Sequence, residues 1–195
     1  MAEYADFLPG INIHIGNDCP RLAMLYAVKS VVRKFCDESK IWVHDCPTIE
    51  ANQDQLMYLL DVPNNAAICK IWSITGRKNI EQYYQQPVHH IQFNNQIVFN
   101  ADLPNYLTQL SAVVSLTTMQ DSLTCPDFLY QNYHDAIVSG AVASLQMMPA
   151  RSWSEPNMAA VHQQVFEDAV KKAINDRDDG FGLSRRPNRI KPYYI

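Results

Sequence analysis

CPDFLYQNYHDAIVSGAVASLQMMPARSWSEPNMAAVHQQVFEDAVKKA, residues 125–173, determines how the rest of this chain is arranged. In its first half, apolar residues recur every three or four positions, which places them on one face of a helix. Pro149 ends that helix. The stretch therefore predicts a helix, a break, and a second helix. The apolar residues of the first helix are Leu129, Tyr133, Ile137, Ala141, Leu145 and Met148.

The second of these helices begins after the turn ARSWSEP, with Ser154 as its expected N-cap and Pro156 in its first turn. We expect it to end at Asp178-Asp179-Gly180, because glycine is common just past the end of a helix. The apolar stripe that we expect it to bury consists of Met158, Val161, Val165, Ala169 and Ala173.

Small residues form a separate stripe on the first of the two helices: Ala136, Gly140 and Ser144. A glycine inside a helix costs about 1 kcal/mol relative to alanine. We therefore expect another helix or backbone segment to approach this surface closely, and a neighbouring subunit could do so in an assembly.

A further helix is predicted upstream, from Cys19-Pro20 to about Glu38, after a loose N-terminal segment. Its apolar residues again recur at steps of three and four, which indicates one buried face. They are Leu22, Leu25, Val28, Val32 and Phe35.

Residues 40–118, between the upstream helix and the two later helices, have a different residue pattern. Short runs rich in Ile, Val, Thr, Tyr and Trp alternate with Pro, Asn and Gly, which predicts five or six strands. The connections are too short for parallel crossovers, so we expect antiparallel pairing. Asn94-Asn95 is the predicted turn of one hairpin, because asparagine tolerates positive φ.

The order of these elements predicts an α+β fold. We expect a bundle of about three helices with an antiparallel β insertion between the first and second, forming a single domain over residues 1–181. Residues 182–195 are predicted to be an extended C-terminal arm. With 195 residues, 47% of them hydrophobic, the chain is long enough for one sizeable core.

The C-terminal arm differs from the body in charge. It carries four basic residues and no acid, while the whole chain has a net charge of −4, so residues 1–181 carry −8. An apolar end on a basic, proline-containing stem is typical of a segment that orders on a partner. The residues we expect to make that contact are Arg185, Arg186, Arg189, Ile190, Lys191, Tyr193, Tyr194 and Ile195.

Five cysteines lie far apart without a C-x-x-C pair, which favours reduced core residues in a cytosolic setting. We expect a soluble protein with no membrane span, because no run approaches the ~20 apolar residues that a span needs.

The histidines give no evident catalytic or metal site. His89-His90 should point to opposite faces of a strand, His134-Asp135 should diverge by about 100° on a helix, and His162 has no i, i+4 ligand partner. We therefore expect no enzyme activity, no metal and no cofactor.

The chain resembles the head-to-tail adaptor proteins of tailed bacteriophages over roughly residues 19–177. The resemblance includes the first helix, which ends in RKFCDESKIW, the strand QLMYLLDVP and, above all, residues 125–173. The motif I-x-x-G-A-x-x-x-L of that family corresponds to Ile137-Leu145 here, and Met148-Pro149 corresponds to the break that follows it. A W-x-x-P turn and a long helix with an F-E-x-x-V-x-x-A pattern come next. The matching residues are Trp153, Pro156, Phe166, Glu167, Val170 and Ala173.

The resemblance implies a structural virion protein that forms a twelve-subunit ring below the portal, at the neck of the particle, after assembly in the host cytoplasm. Such a ring extends the DNA channel and provides the attachment surface for the tail or its nozzle, while the genome passes through without specific binding. It also implies that the C-terminal arm grips the portal protein.

Two alternatives remain open from the sequence. The basic arm could bind nucleic acid, with its arginines on phosphates and its tyrosines stacked on bases. The chain could also be another neck protein, such as a tail-completion protein. An arm that is simply a solvated chain end is the remaining possibility.

Overall fold

The structure, a computed structural model, describes residues 1–16, 18–52, 55–78, 82–84, 90–93, 95–99 and 108–179. Within these ranges the fold is mixed α+β, and every strand pair is antiparallel. No helix in this part of the chain is both long and apolar enough to cross a membrane. The α-helices are α1 (Leu8–Ile15), α2 (Arg21–Ser39), α3 (Asp127–Gln146) and α4 (Pro156–Asp178).

The helices share one hydrophobic core, at the centre of which lies α3. This helix packs against α1, α2 and α4, and the aromatic rings of Phe35, Tyr133 and Phe166 meet between them. The apolar face predicted for α3 is confirmed, because Leu129, Tyr133, Ile137, Ala141 and Leu145 are all buried.

The N-terminal segment is not loose, and the sequence prediction was wrong there. A 3-10 helix (Tyr4–Phe7) leads directly into α1, and the segment before it forms strand β1. Tyr4, Phe7, Leu8 and Ile11 are buried in the helical core. They are spaced by three, one and three residues, which is a helical pattern, so the sequence did indicate a helix in this segment.

The buried face of α4 also differs from the prediction. In the first half of α4 the predicted Met158, Val161 and Val165 are exposed, and Ala159 and Phe166 are buried instead. Further along, the predicted Ala173 is buried and Ala169 is half-buried, next to buried Val170. Both sets have helical spacing, and they differ by a rotation of about 100°, which is one residue of a helix. The large ring of Phe166 determines the choice, because it fills the space between α2 and α3.

Two smaller predictions for the helices are corrected as well. Ser154 is not the N-cap of α4: that position belongs to Glu155, and the Ser154 hydroxyl donates a hydrogen bond to the carbonyl oxygen of Gln146 at 3.3 Å. Leu22 of α2 does not belong to the buried face and is largely exposed.

The region between α2 and α3 contains most of the strands, and a second hydrophobic core lies there. The largest sheet has the order β2-β9-β5-β6, with β3 also paired to β9, and a smaller sheet has the order β4-β8-β7. More strands are present than the five or six predicted, because several have only two or three residues. The strands are β1 (Ala2–Glu3), β2 (Val43–Asp45), β3 (Ile49–Glu50), β4 (Met57–Leu59), β5 (Ala66–Lys78), β6 (Gln82–Tyr84), β7 (His90–Phe93), β8 (Gln96–Phe99), β9 (Gln109–Thr118) and β10 (Thr124–Cys125).

The predicted hairpin between β7 and β8 is confirmed. Phe93 pairs with Gln96, and Asn95 in the turn has a φ of 63°. The Asn95 side chain also contacts β5, because its Oδ1 accepts a hydrogen bond from the Ile68 amide at 2.9 Å. The hairpin is thereby attached to the larger sheet as well as to β4.

Strand β9 joins the two cores. Val114 and Leu116 lie in the core of the sheet region, while Ser115 and Thr117 on the other face are also buried. The Thr117 hydroxyl donates a hydrogen bond to the carbonyl oxygen of Arg33 in α2, at 3.4 Å. One face of β9 therefore covers α2 and the other belongs to the sheet core.

Candidate functional site at the start of the C-terminal arm

The arm residues singled out by the sequence lie outside the residues that the structure describes. Arg185, Arg186, Arg189 and Lys191 belong to this part of the chain, as do the apolar residues at its end. The structure does describe the point from which the arm leaves: α4 ends at Asp178, in agreement with the sequence prediction. We call the last turn of α4 and the side chains that hold it the C-terminal anchor; it consists of Asp176, Arg177, Ser39, Trp72 and Tyr133.

Arg177 makes the most contacts in the C-terminal anchor. Its Nη1 donates a hydrogen bond of 2.6 Å to the carbonyl oxygen of Ser39, the last residue of α2. Its Nε and Nη2 donate to Oδ1 of Asp178 at 2.9 and 2.7 Å. Because the Arg177 side chain is only 16% exposed, these charge-assisted bonds are partly shielded from water. Arg177 therefore connects the end of α4 to the end of α2.

Trp72 extends the C-terminal anchor into the sheet. The guanidinium carbon of Arg177 lies 4.9 Å from the centroid of this ring, and the Lys70 ammonium lies 3.6 Å from it. Both distances are within the range of a cation–π contact. The Trp72 indole N–H donates to the hydroxyl of buried Ser115 in β9, which in turn donates to the Lys40 carbonyl at 3.0 Å. The ring is thus fixed between β5, β9 and the residue that follows α2.

Tyr133 holds the same turn of α4 from the side of α3. Its hydroxyl donates a hydrogen bond of 2.8 Å to Oδ2 of Asp176. Burial, and then the bond to Asp176, raise the pKa of Tyr133 above its usual value, so the phenol stays protonated and remains a donor. The backbone of Tyr133 has φ −131° and ψ 18°, so α3 bends at this residue.

The last turn of α4 is therefore held by three separate elements: α2, α3 and β5. The final residues of a helix have no partners further along the helix for their carbonyl groups, and they usually fray. Here the side chains of Asp176 and Arg177 connect the last turn to α3, α2 and β5, which restrains it without bonding those carbonyl groups. The C-terminal anchor therefore fixes the end of α4 relative to both the helices and the sheet.

The small stripe of α3 lies largely inside the chain. Gly140 is packed so closely that an added Cβ would come within 2.6 Å of Phe166 in α4 and 2.7 Å of Val31 in α2. Ala136 is also buried, and Ser144 is the exposed member of the three. The close approach at Gly140 is thus made by helices of the same chain, which leaves no room for a neighbouring subunit at that residue.

The histidine positions correct one further expectation. The side chains of His134 and Asp135 do not diverge: Nδ1 of His134 lies 3.0 Å from Oδ1 of Asp135. The His134 ring is also stacked on Phe7, with centroids 5.3 Å apart, which gives it a packing role. His162 faces His14 of α1 at a centroid distance of 4.8 Å. The side chains of His89 and His90 lie outside the described residues.

The cysteines are all free, and four of the five are buried. Burial raises the pKa of Cys46 to about 11 and that of Cys125 to about 12, so both thiols stay protonated at neutral pH. Among the residues that the structure describes, no group of three His, Cys, Asp or Glu side chains could hold a metal ion.

The sequence alone did not point to the C-terminal anchor. Trp72 and Arg177 are about a hundred residues apart, so nothing local relates them. The one available signal was a basic residue in the last turn of a helix, which favours interaction with its terminal carbonyls. No family model and no curated protein matches this chain. What it does must therefore be inferred from its own residues and their geometry.

Proposed function

We propose that this chain is a structural virion protein of a tailed bacteriophage, a head-to-tail adaptor that forms a ring below the portal. In this proposal α2, α3 and α4 are a three-helix bundle that carries the β insertion, and the C-terminal arm binds the portal protein. The ring, of twelve copies by the family resemblance, extends the DNA channel and offers the attachment surface for tail or nozzle proteins.

The C-terminal anchor is the observation that carries this proposal. An arm that joins two rings has to transmit force between them, and an arm that continued from a frayed helix end would unwind α4 before it could pull on the body. The bonds from Arg177 to Ser39 and from Tyr133 to Asp176 hold the last turn of α4 on α2 and α3, where they would oppose such unwinding. A solvated chain end has no need for such support, so the C-terminal anchor favours an arm that bears load.

The distribution of charge supports the same proposal. The arm carries +4, and residues 1–181 carry −8. A wall with excess negative charge does not retain phosphates, which suits a channel through which DNA passes. The basic arm would be attracted to an acidic cleft on the portal, and its apolar end would then hold it there. Because many copies bind together, weak single contacts would add up to a firm attachment.

The test of this proposal is a chain truncated after Gly180. We expect it to fold with the same helix content as the full chain, because the C-terminal anchor is complete without the arm. We expect it to lose binding to isolated portal rings, measured by co-sedimentation. A full-length variant with Arg151→Ala serves as the control, since that arginine contacts Trp153 far from the arm in sequence. Portal binding by the truncated chain equal to that of the full chain would refute the role of the arm.

A further inference from the structure

Two exposed apolar surfaces on the outside of the helices have no partner among the residues that the structure describes. The α2 face consists of Leu22, Tyr26 and Leu123, which are between 69% and 78% exposed. The α4 face consists of Met158, Val161 and Val165, which are between 42% and 56% exposed. Single exposed apolar residues are ordinary, whereas a contiguous exposed apolar patch with a polar rim is typical of a contact surface.

The α2 face is concave at the start of the helix, where Glu3 and Lys29 are the charged side chains of the lining. Leu22, Tyr26 and Leu123 line a groove of about 490 Å³, in which Leu25 and Tyr4 also take part. Residues 21–36 of α2 contain four basic side chains and no acid, and Asp37 and Glu38 follow them. Arg33 lies 3.9 Å from Asp37, but both side chains are exposed, so this pair can exchange partners at little cost. Two of the basic side chains, Lys29 and Arg33, continue the line of Leu22 and Tyr26 along the helix at steps of three and four residues. This surface is therefore apolar at the start of the helix and basic further along.

The α4 face has the matching pattern with the opposite charge. Residues 155–168 contain three acidic side chains and no Lys or Arg. Asp168 continues the line of Met158, Val161 and Val165, again at a step of three. Its carboxylate is paired with Lys171 at 2.9 Å, but both side chains are well exposed, so this pair can exchange partners at little cost. This surface is apolar at the start of the helix and acidic further along.

We propose that the α2 face of one copy of this chain binds the α4 face of a second copy. The two lines of residues have similar lengths, of about 15 Å each. If the two helices lie parallel, Leu22 and Tyr26 meet Met158 and Val161, while Arg33 comes next to Asp168. An antiparallel arrangement would place the basic end of one line on the apolar end of the other. The charge pattern thus determines the direction of packing as well as the partner.

This contact joins two different surfaces, so each copy keeps one free surface of each kind. Such heterologous association continues until a ring closes, or otherwise produces a filament. The inference rests on the proposed function, because a ring of identical subunits requires a contact of this type. The contact between copies does not use Gly140, because Phe166 and Val31 of the same chain already pack against that residue.

The first experiment uses two variants, Tyr26→Glu on the α2 face and Val161→Glu on the α4 face. Both residues are exposed, so we expect both variants to fold. In sedimentation at about 100 µM we expect the native chain to form dimers and larger species, and each variant alone to be monomeric. An equimolar mixture should form dimers only, because the first variant keeps its α4 face and the second keeps its α2 face. A mixture that stays monomeric while the native chain associates would overturn the proposal.

A second experiment detects weak contact and tests its direction. We expect oxidation of Leu22→Cys mixed with Met158→Cys to give a disulfide-linked dimer, and Leu22→Cys mixed with Asp135→Cys to give none. Asp135 is fully exposed on α3 and is the matched control. Equal cross-linking of both mixtures, or of neither, would overturn the proposal.

Charge exchange isolates the polar part of the contact. Arg33→Glu or Asp168→Lys alone should weaken association about tenfold, since an attraction between exposed charges becomes a repulsion. The chain with both changes should associate nearly as the native one does, and failure of this rescue would contradict the parallel packing. The α2 face could instead bind duplex DNA at 150 mM salt. If it does, and if Tyr26→Glu abolishes that binding, the α2 face is a DNA-binding surface and the proposal is wrong.

The outcomes separate this inference from the proposed function. Native association that survives both Tyr26→Glu and Val161→Glu would reject these two surfaces and leave an adaptor ring in place. Portal binding by the chain truncated after Gly180 would reject the proposed function of the arm, whatever the two surfaces do.

Discussion

The two ends of α4 have opposite relations to the rest of the molecule. The first half turns Met158, Val161 and Val165 outward, and no residue in the described part of the chain buries them. The last turn is held by side chains from α2, α3 and β5. One helix thus offers a surface at its start and a fixed attachment point at its end. The apolar pattern of a helix indicates its period, but it does not indicate which apolar side chains face inward.

The largest effect on the free energy of unfolding is expected from a substitution on the inward side of α4, with one on its outward side as the comparison. Phe166→Ala should lower the free energy of unfolding by about 3–5 kcal/mol, because it leaves a cavity between α2 and α3. Val161→Ala on the outward side should change it by less than about 0.5 kcal/mol. Urea unfolding of both variants measures the difference. Comparable losses would mean that the two faces have been assigned incorrectly.

A smaller effect is expected at the C-terminal anchor. Arg177→Ala removes the bond to Ser39 and the contact with Trp72, and we expect it to cost about 1–3 kcal/mol. Hydrogen exchange of the backbone amides of the last turn should accelerate more than that of the middle of α4. Arg151→Ala is the matched control and should leave this exchange unchanged. Uniform acceleration along α4 would argue against local support by Arg177.

The smallest effect concerns pH and the first half of α4. Burial, and then the neighbouring His14, lower the pKa of His162, which Glu155 opposes. The ordinary value is 6.5, so stability from the neutral ring is present above pH 6.5 and is lost as the pH falls below it. We expect Tm to fall between pH 7.5 and 5.5, and the fall to be smaller in His162→Gln. Val161→Ala, an exposed neighbour in the same helix that does not titrate, should show the same fall as the native chain; an equal reduction there would contradict the assignment.

The sequence was most informative where burial does not depend on the choice of one face. In α3 the predicted Leu129, Ile137 and Leu145 are buried, and so are Val138 and Val142 on another side, because this helix lies at the centre of the helical core. In α4 two stripes had the right period, and the distinction came from Phe166, whose ring fits beside Gly140 on a different helix. That fit depends on tertiary packing, which no local pattern contains.

The strands and the C-terminal anchor show the same limit. Asn95 identified its hairpin because a positive φ is a property of the local chain. Strands of two or three residues, such as β3 and β10, are too short for an alternating pattern to be visible. The contact of Trp72 with Arg177 joins residues from the sheet and the helices, so it exists only once both cores have formed.

Strand β9 has a consequence for anyone who wishes to simplify this protein. Its Thr117 side packs on α2, and its Val114 side belongs to the sheet. Deleting residues 40–118 and linking α2 directly to α3 would remove β9 and expose the side of α2 that this strand covers. The helices alone are therefore not a minimal version of the molecule, and a shortened protein has to keep this one strand or replace it.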